Sequence, residues 1–507
     1  MQLIFARLPL ALLLSLAASS ACTGAANLEE SDQGLAAATD SNWDRAVTRP
    51  TNESSAAAQR SACTFKRGAL PAETLGSELP VDNQIPIKTI VVIMQENRSF
   101  DSYFSHLNKY AHRTDIESAP EDTSNPERVN EPGSPRHAWQ HGKMLCISDT
   151  NHEWWGSHLE WNGGKMDGFF QANHGFREDG QPSVPEAAVH GERALWWYDE
   201  RDIPFYYDLA ATFAIGDHYH SSLLGPTYPN RDFLYAATSQ GVTAAHSVPN
   251  TGRASDNILI FDELDKRGIT WSVYIDEFPH IPRLGAFTGL GYLTRWQGQH
   301  FLPMFQFRRD AANGTLPQVV FIDGNITEDY RGNDEHPPGD IQTGQKFVSD
   351  RINNLFQSPQ WKEMAVFVTY DEHGGIYDHV APPPACPPDG VEPVLESDED
   401  RAFPGRFDRL GARVPFIVVS PFSKPGFVSH KTYDHTSITR FIETKFRLPA
   451  LTSRDANADP LFDLFDFKNP RFLTPPRLAP AVVDAARFKE CEQMFAPPEN
   501  NNGGGGG

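Results

Sequence analysis

Two apolar runs that end abruptly in acid and amide residues constrain this chain most. In 88–104 (KTIVVIMQENRSFDSYF), residues 90–94 are five consecutive apolar residues, the pattern of a strand buried on both faces. The run breaks directly into Gln95, Glu96, Asn97 and Arg98. Residues 364–369 (MAVFVT) repeat the pattern and deliver Tyr370, Asp371, Glu372, His373, Gly374 and Gly375. Open α/β sheets bind their ligands at the carboxyl ends of such strands. The oxygen-rich set Glu96, Asn97, Asp371 and Glu372 suits a divalent cation. Either cluster alone reads equally well as a cap or a turn; together they point to a metal site.

Strands are also expected at 270–275, 318–322 and 414–419, and helices at 204–213, 255–266, 345–356 and 436–446. Strands alternating with helices predict an α/β fold around a mostly parallel sheet. Asp434 and His435 fall at the start of the last helix, where they could cap it or bind there. Residues 105–145 and 382–408 read as long polar excursions.

The chain has 507 residues and a formal net charge of -22. That charge excludes non-specific nucleic-acid binding, which needs Lys and Arg to neutralise phosphates. It leaves room for small phosphorylated substrates at a site whose own cations reverse the local field. Residues 1–21 read as a signal peptide, with Arg7 ahead of an apolar run too short to span a bilayer. Release to the periplasm or medium is expected, or a lipid anchor on Cys22; the mature chain is expected to have no integral membrane segment. The four other cysteines, Cys63, Cys146, Cys386 and Cys491, are an even number compatible with two disulfides. The expected organisation is a flexible lead-in at 22–84, a catalytic domain at 85–450, an extension packed on the core at 451–500, and a disordered Gly-rich tail at 501–507.

Three more segments carry chemistry. Thr227 lies in a Pro-bracketed turn within LLGPTYPNR (223–231), with Arg231 in reach of a phosphate or a carboxylate. NHEWW (151–155) fails as a zincin because position 156 is Gly, leaving His152 as a proton donor or phosphate ligand. His336 precedes the rigid pair Pro337-Pro338. No P-loop, dinucleotide fingerprint or Gly-x-Ser-x-Gly elbow is present.

These motifs resemble those of the bacterial phosphoesterase family that contains acid phosphatases and non-haemolytic phospholipases C. The matching pieces are IMQENRSFDSYF (93–104), NHEW (151–154), MDGF (166–169), LLGPTYPNR (223–231), EHPP (335–338), VTYDEHGGIYDHV (368–380), RVPFIVVSPF (413–422) and YDHTSITRFIE (433–443). The resemblance implies an alkaline-phosphatase-like three-layer sandwich. It implies a divalent metal on Glu96, Asn97, Asp371 and Glu372, a nucleophilic Thr227, and phosphoryl contacts from His152 and His336. A further family histidine has His280 as its nearest counterpart. The acid phosphatases typically carry Ser where this chain has Thr227, whereas Thr is usual in the phospholipase branch.

Two readings follow. The first is a metal-dependent acid phosphatase that forms a phospho-threonine intermediate on monoesters. The second is a phospholipase C acting on phosphodiesters such as phosphatidylcholine, with Trp154-Trp155 or Trp196-Trp197 against the head group. Core packing is the plainer reading of those tryptophans. An intact residue set argues against a decayed binding protein, and Thr227 is not the Cys or Ser a sulfatase modifies.

Overall fold

Thr89–Gln95 form β1, buried along its whole length as its apolar run requires. The computed structural model describes residues 43, 45–177, 184–244, 259–276, 299–325 and 329–496. The leader, Cys22, His280, the Gly-rich tail and the first part of the expected helix at 255–266 lie outside the described residues.

The other strands of the main sheet are β2 (Ala214–Gly216), β3 (Trp271–Ile275), β4 (Phe301–Pro303), β5 (Val319–Asp323), β6 (Met364–Tyr370), β7 (Phe416–Val419) and β8 (Val428–Ser429). Their order is β8-β2-β7-β6-β1-β5-β3-β4. Parallel pairs join β1 to β5 and β6, β3 to β4 and β5, and β8 to β2. Among the described strands of this sheet only β7 runs the other way, antiparallel to both β6 and β2. The chain is an α/β sandwich with a largely parallel sheet, as its alternating pattern requires.

The helices that matter to the site are α1 (Phe100–Phe104), α2 (Trp154–Trp161), α3 (Pro204–Thr212), α4 (Thr227–Ala236), α5 (Ile260–Arg267), α6 (Met304–Asn313), α7 (Ile341–Gln357), α8 (His435–Phe446) and α9 (Ala485–Phe495). Aromatic rings key several of them to the sheet. Phe367 of β6 meets Phe441 of α8 with centroids 5.1 Å apart, and Phe321 of β5 meets Tyr235 of α4 at 5.5 Å. Tyr274 of β3 packs edge-on against Phe307 of α6 at 5.5 Å. Such pairs add directional preference to plain burial.

Two expectations need correction, and three short strands were not expected. The Pro-bracketed turn at Thr227 is the first turn of α4: Pro229 has no N–H to lose there, because the first helical amides have no partner anyway. The lead-in is not irregular throughout, since Glu53–Ser61 is a helix capped by Asn52, and a Cys63–Cys386 bond ties its end to the excursion at 382–408. Strands β2, β4 and β8, two or three residues each, are too short to carry a readable alternation. The second disulfide joins Cys146 to Cys491 in α9. Among the described residues, no helix is long and apolar enough to cross a membrane.

Candidate functional site

The parallel register sets Gln95 beside Tyr370, so the two acid clusters leave the sheet side by side. Asn97 sits in the left-handed backbone region at φ 61, a conformation Asn tolerates better than most residues. That turn aims its N–H at Asp371 Oδ1, 3.2 Å away, while the Arg98 N–H donates to the Glu372 carbonyl at 3.1 Å. The Gly374-Gly375 pair lets the second loop slip between its neighbours. A Cβ at Gly374 would lie 2.5 Å from the Asn97 carbonyl oxygen, and one at Gly375 would lie 2.5 Å from that of Asn151. Both glycines have φ of +65, so any other residue would be strained as well as crowded.

Helix α4 brings a cation over these strand ends. Arg231 donates from Nε to Asp371 Oδ2 (3.0 Å), from Nη2 to Glu96 Oε1 (3.1 Å) and from Nη1 to Asp323 Oδ1 (3.1 Å). Thr227 stands one turn earlier on the same helix, so it shares the face that Arg231 presents. It is buried, and its hydroxyl makes no hydrogen bond to any described residue. Of the two roles open to Arg231, the structure assigns the carboxylates. Behind Asp371, His435 Nε2 donates to its carbonyl at 2.6 Å, and burial pushes that imidazole down to about 4.

One guanidinium does not satisfy this cluster. Both side-chain atoms of the Asn97 amide, Oε1 of Glu372 and Oδ2 of Asp323 are buried without a hydrogen-bond partner among the described residues. Each such group costs about 1–3 kcal/mol if left unmet. Burial, reinforced by Glu96 and Glu372, pushes the Asp371 carboxyl up against the pull of Arg231. Crowded acids with unmet oxygens are what a hard divalent cation satisfies, so Glu96, Asn97, Asp371 and Glu372 fit the expected ion.

The two expected histidines also meet. His152 and His336 face each other edge to face with centroids 5.7 Å apart. His152 Nδ1–H donates to the Thr150 carbonyl (2.7 Å), and His336 Nδ1–H to that of Pro337 (2.6 Å). Asp149 completes the group, the three offering ligand atoms within 4.8 Å of one another. Burial alone would lower His336, but Asp149 and Glu96 outweigh it and hold the imidazolium up to about 9. The loop that carries His336 is fixed by Glu335, which accepts from the hydroxyls of Tyr103 (2.5 Å), Tyr206 (2.6 Å) and Tyr370 (2.8 Å).

Sequence reasoning named His373 without giving it a role, and missed Asp149, Asp323 and Glu160 in this neighbourhood. His373 bridges Glu160 (2.7 Å) and Glu372 (3.3 Å), and these acids hold it up to about 9 although burial opposes them. Asp323 was the readable one, because it ends β5 as Gln95 ends β1. Asp149 and Glu160 carry no such sign.

Comparison with known proteins bears on this arrangement. Residues 87–449 match the model of the phosphoesterase family. Non-specific phospholipase C1 of Arabidopsis thaliana is 32% identical over 405 residues, covering 76% of this chain and 72% of the relative. Phospholipase C B of Mycobacterium tuberculosis is 31% identical over 445 residues, covering 77% of this chain and 80% of the relative. Among solved structures, a protein of the alkaline phosphatase superfamily from Vibrio parahaemolyticus is 9% identical with a TM-score of 0.31, covering 71% of this chain and 77% of that one. At so low a score the likeness adds nothing to what the sheet order already says. With the motifs gathered at one set of strand ends and the match spanning most of the sequence, this chain belongs to the phosphoesterase family and is a phosphoric-ester hydrolase of its phospholipase C-related kind.

Proposed function

We propose that this chain is a phospholipase C-type phosphodiesterase, cleaving the bond between phosphorus and the glycerol oxygen of a phospholipid. The observation that carries this reading is the relationship to named phospholipases C over about three quarters of both chains, with the candidate site intact. It reverses the order of the two readings drawn from sequence, in which the monoesterase stood first. Thr227 in place of Ser points the same way.

In this reading Thr227 Oγ1 attacks phosphorus in line with the leaving diacylglycerol oxygen, releasing its own proton to water. The O–P bond to Thr227 forms as the bond to glycerol breaks. A divalent cation on Glu96, Asn97, Asp371 and Glu372 would supply positive charge that balances the phosphoryl oxygens. His336, which faces the Asp149 carboxylate, gives its proton to the departing oxygen. The resulting neutral imidazole takes a proton from the water that attacks phosphorus in the phosphocholine-threonine diester; the Thr227 O–P bond breaks, Oγ1 takes a proton back from solvent, and phosphocholine leaves. His152 stands across from it and binds a phosphoryl oxygen. Arg231 keeps Glu96, Asp371 and Asp323 in place. The two disulfides support the expected export to an oxidising compartment, which is part of this proposal.

The test is product analysis. Phosphatidylcholine vesicles, bis-aryl phosphate and aryl phosphate are compared under matched conditions. Phosphocholine and diacylglycerol are expected, with kcat/KM for the diester above that for the monoester. Release of inorganic phosphate from monoesters, with no phosphocholine formed, would restore the acid phosphatase reading on the same residues.

A further inference from the structure

The family match stops at residue 449, yet the chain returns after it to the two loops that carry the site histidines. Helix α9 is bonded to the His152 loop through Cys146–Cys491. The same loop touches the start of α7, where the Ile341 N–H donates to the Leu145 carbonyl at 3.1 Å. That start is also the end of the His336 loop: Gly339 N–H donates to the His336 carbonyl, and Asp340 N–H to that of Tyr330. Tyr330, Cys146, Cys491 and Phe495 form one small buried apolar cluster, with Phe488 of α9 against the Tyr330 ring at 5.7 Å. Polar contacts pin the near end of the helix. Arg487 donates to Asp202 Oδ1 (2.5 Å), the Asp484 N–H donates to Gln342 Oε1 (2.8 Å), and Gln342 Nε2 donates to the Asp202 carbonyl (2.7 Å).

Helix α9 therefore touches both histidine loops without reaching the metal-binding strand ends. We infer that α9 and the Cys146–Cys491 bond act as a positioning clamp that sets His152 against His336 for phosphoryl transfer. The inference rests on the reading of those histidines given above. Its physical basis is that the loops reach the site from opposite sides of a long stretch of sequence, and neither belongs to a strand. The strand ends are held by sheet register; each histidine loop has local anchors, Glu335 among its tyrosines for one and Arg193 on the Ser148 and Asp149 carbonyls for the other, and the clamp ties the two loops to each other. Catalytic groups displaced by about an ångström lose on the order of a hundredfold in rate, so a clamp outside the family domain can set the turnover.

The experiment is a double-mutant cycle on the full chain with bis-aryl phosphate as the soluble probe. Cys146→Ala/Cys491→Ala is expected to lower kcat by about ten- to a hundredfold, with KM changed less than about twofold and metal content unchanged. Combined with His336→Ala it should add almost nothing to the loss from His336→Ala alone, since both act through one group. Cys63→Ala/Cys386→Ala, which removes the other disulfide, should leave kcat within about twofold. Arg487→Ala keeps the covalent link and should show a smaller loss of the same kind. Parent-like kcat in the Cys146/Cys491 variant, beside an inactive His336→Ala, overturns the clamp and leaves the site reading standing. Parent-like kcat in His336→Ala overturns the site reading instead. A Cys146/Cys491 variant that fails to fold, or that loses metal and kcat together, also overturns the clamp, because the bond would then be a staple of the whole domain.

Discussion

Two buried clusters in this molecule are built from the same parts, acids gathered around an arginine, and they end in opposite states. Around Arg413 every donor and acceptor is matched. Its Nε and Nη2 donate to Asp378 (2.8 Å) and Asp101 (2.9 Å), and Nη1 donates to the carbonyls of Glu117 and Asp217. The remaining oxygens of Asp101 and Asp378 accept from His379 Nδ1 and from backbone amides. Asp101, Asp378 and His379 are close enough to hold an ion, but the guanidinium already fills that role. Around Arg231 three carboxylates share one guanidinium, and the Asn97 amide and one Glu372 oxygen are left unmet. A saturated cluster is a piece of architecture; one with unmet buried oxygens has the chemistry that suits a cation.

The sharpest way to break this contrast is at Thr227. Thr227→Ala should reduce kcat by about a thousandfold or more, roughly 4 kcal/mol of transition-state stabilisation, while Thr227→Ser keeps measurable turnover. Near-parent rates in Thr227→Ala would move the nucleophile elsewhere. Next in size is the metal. Chelation should abolish hydrolysis, and Glu372→Gln should lower both bound metal and kcat by about a hundredfold. Asp378→Asn should leave metal content, read by elemental analysis, as in the parent. Equal metal loss in the two variants would erase the distinction between the clusters.

Arg413→Met should act in the reverse sense. Removing one partner of a buried ion pair costs about 3–5 kcal/mol, so the melting temperature should drop by several degrees while kcat per folded molecule stays the same. The smallest effect is expected from pH. Burial opposes the charge on His379, but Asp101 outweighs it and holds the imidazole up to about 9. Because this folded-state value lies above the ordinary one of about 6.5, the stabilisation is complete below about 6.5 and is lost as pH rises through about 9. The melting temperature should therefore fall by a few degrees between pH 7 and 9.5, and His379→Asn should flatten that slope. Parallel slopes would remove the pair from any role in stability.

The strand ends were legible because an unbroken apolar run is the strongest local signal a buried parallel strand gives. Glu96, Asn97, Asp371 and Glu372 were singled out that way, and the register sets the two loops that carry them side by side. The histidines were legible as motif members, not as neighbours. Nothing in 149–152 or 334–338 says that these segments meet, since the contacts that fix them come from residues distant in sequence. Arg231 was seen with two roles open to it, phosphate or carboxylate, and only the distances choose the carboxylates. Asp149 sits in a polar stretch with no period, and there sequence offers no contrast between a working acid and a solvated one.

The disulfides also say something about how the molecule is made. Cys63 finds its partner 323 residues later and Cys146 finds its own 345 residues later, and the two spans overlap. A chain emerging from its amino end exposes Cys63 and Cys146 together long before either correct partner exists. At about 5–20 residues per second, correct closure must wait tens of seconds. Through that interval the nearest available mate for each thiol is the wrong one. Faithful production therefore depends on delaying oxidation, or on reshuffling it, until Cys491 is available as well.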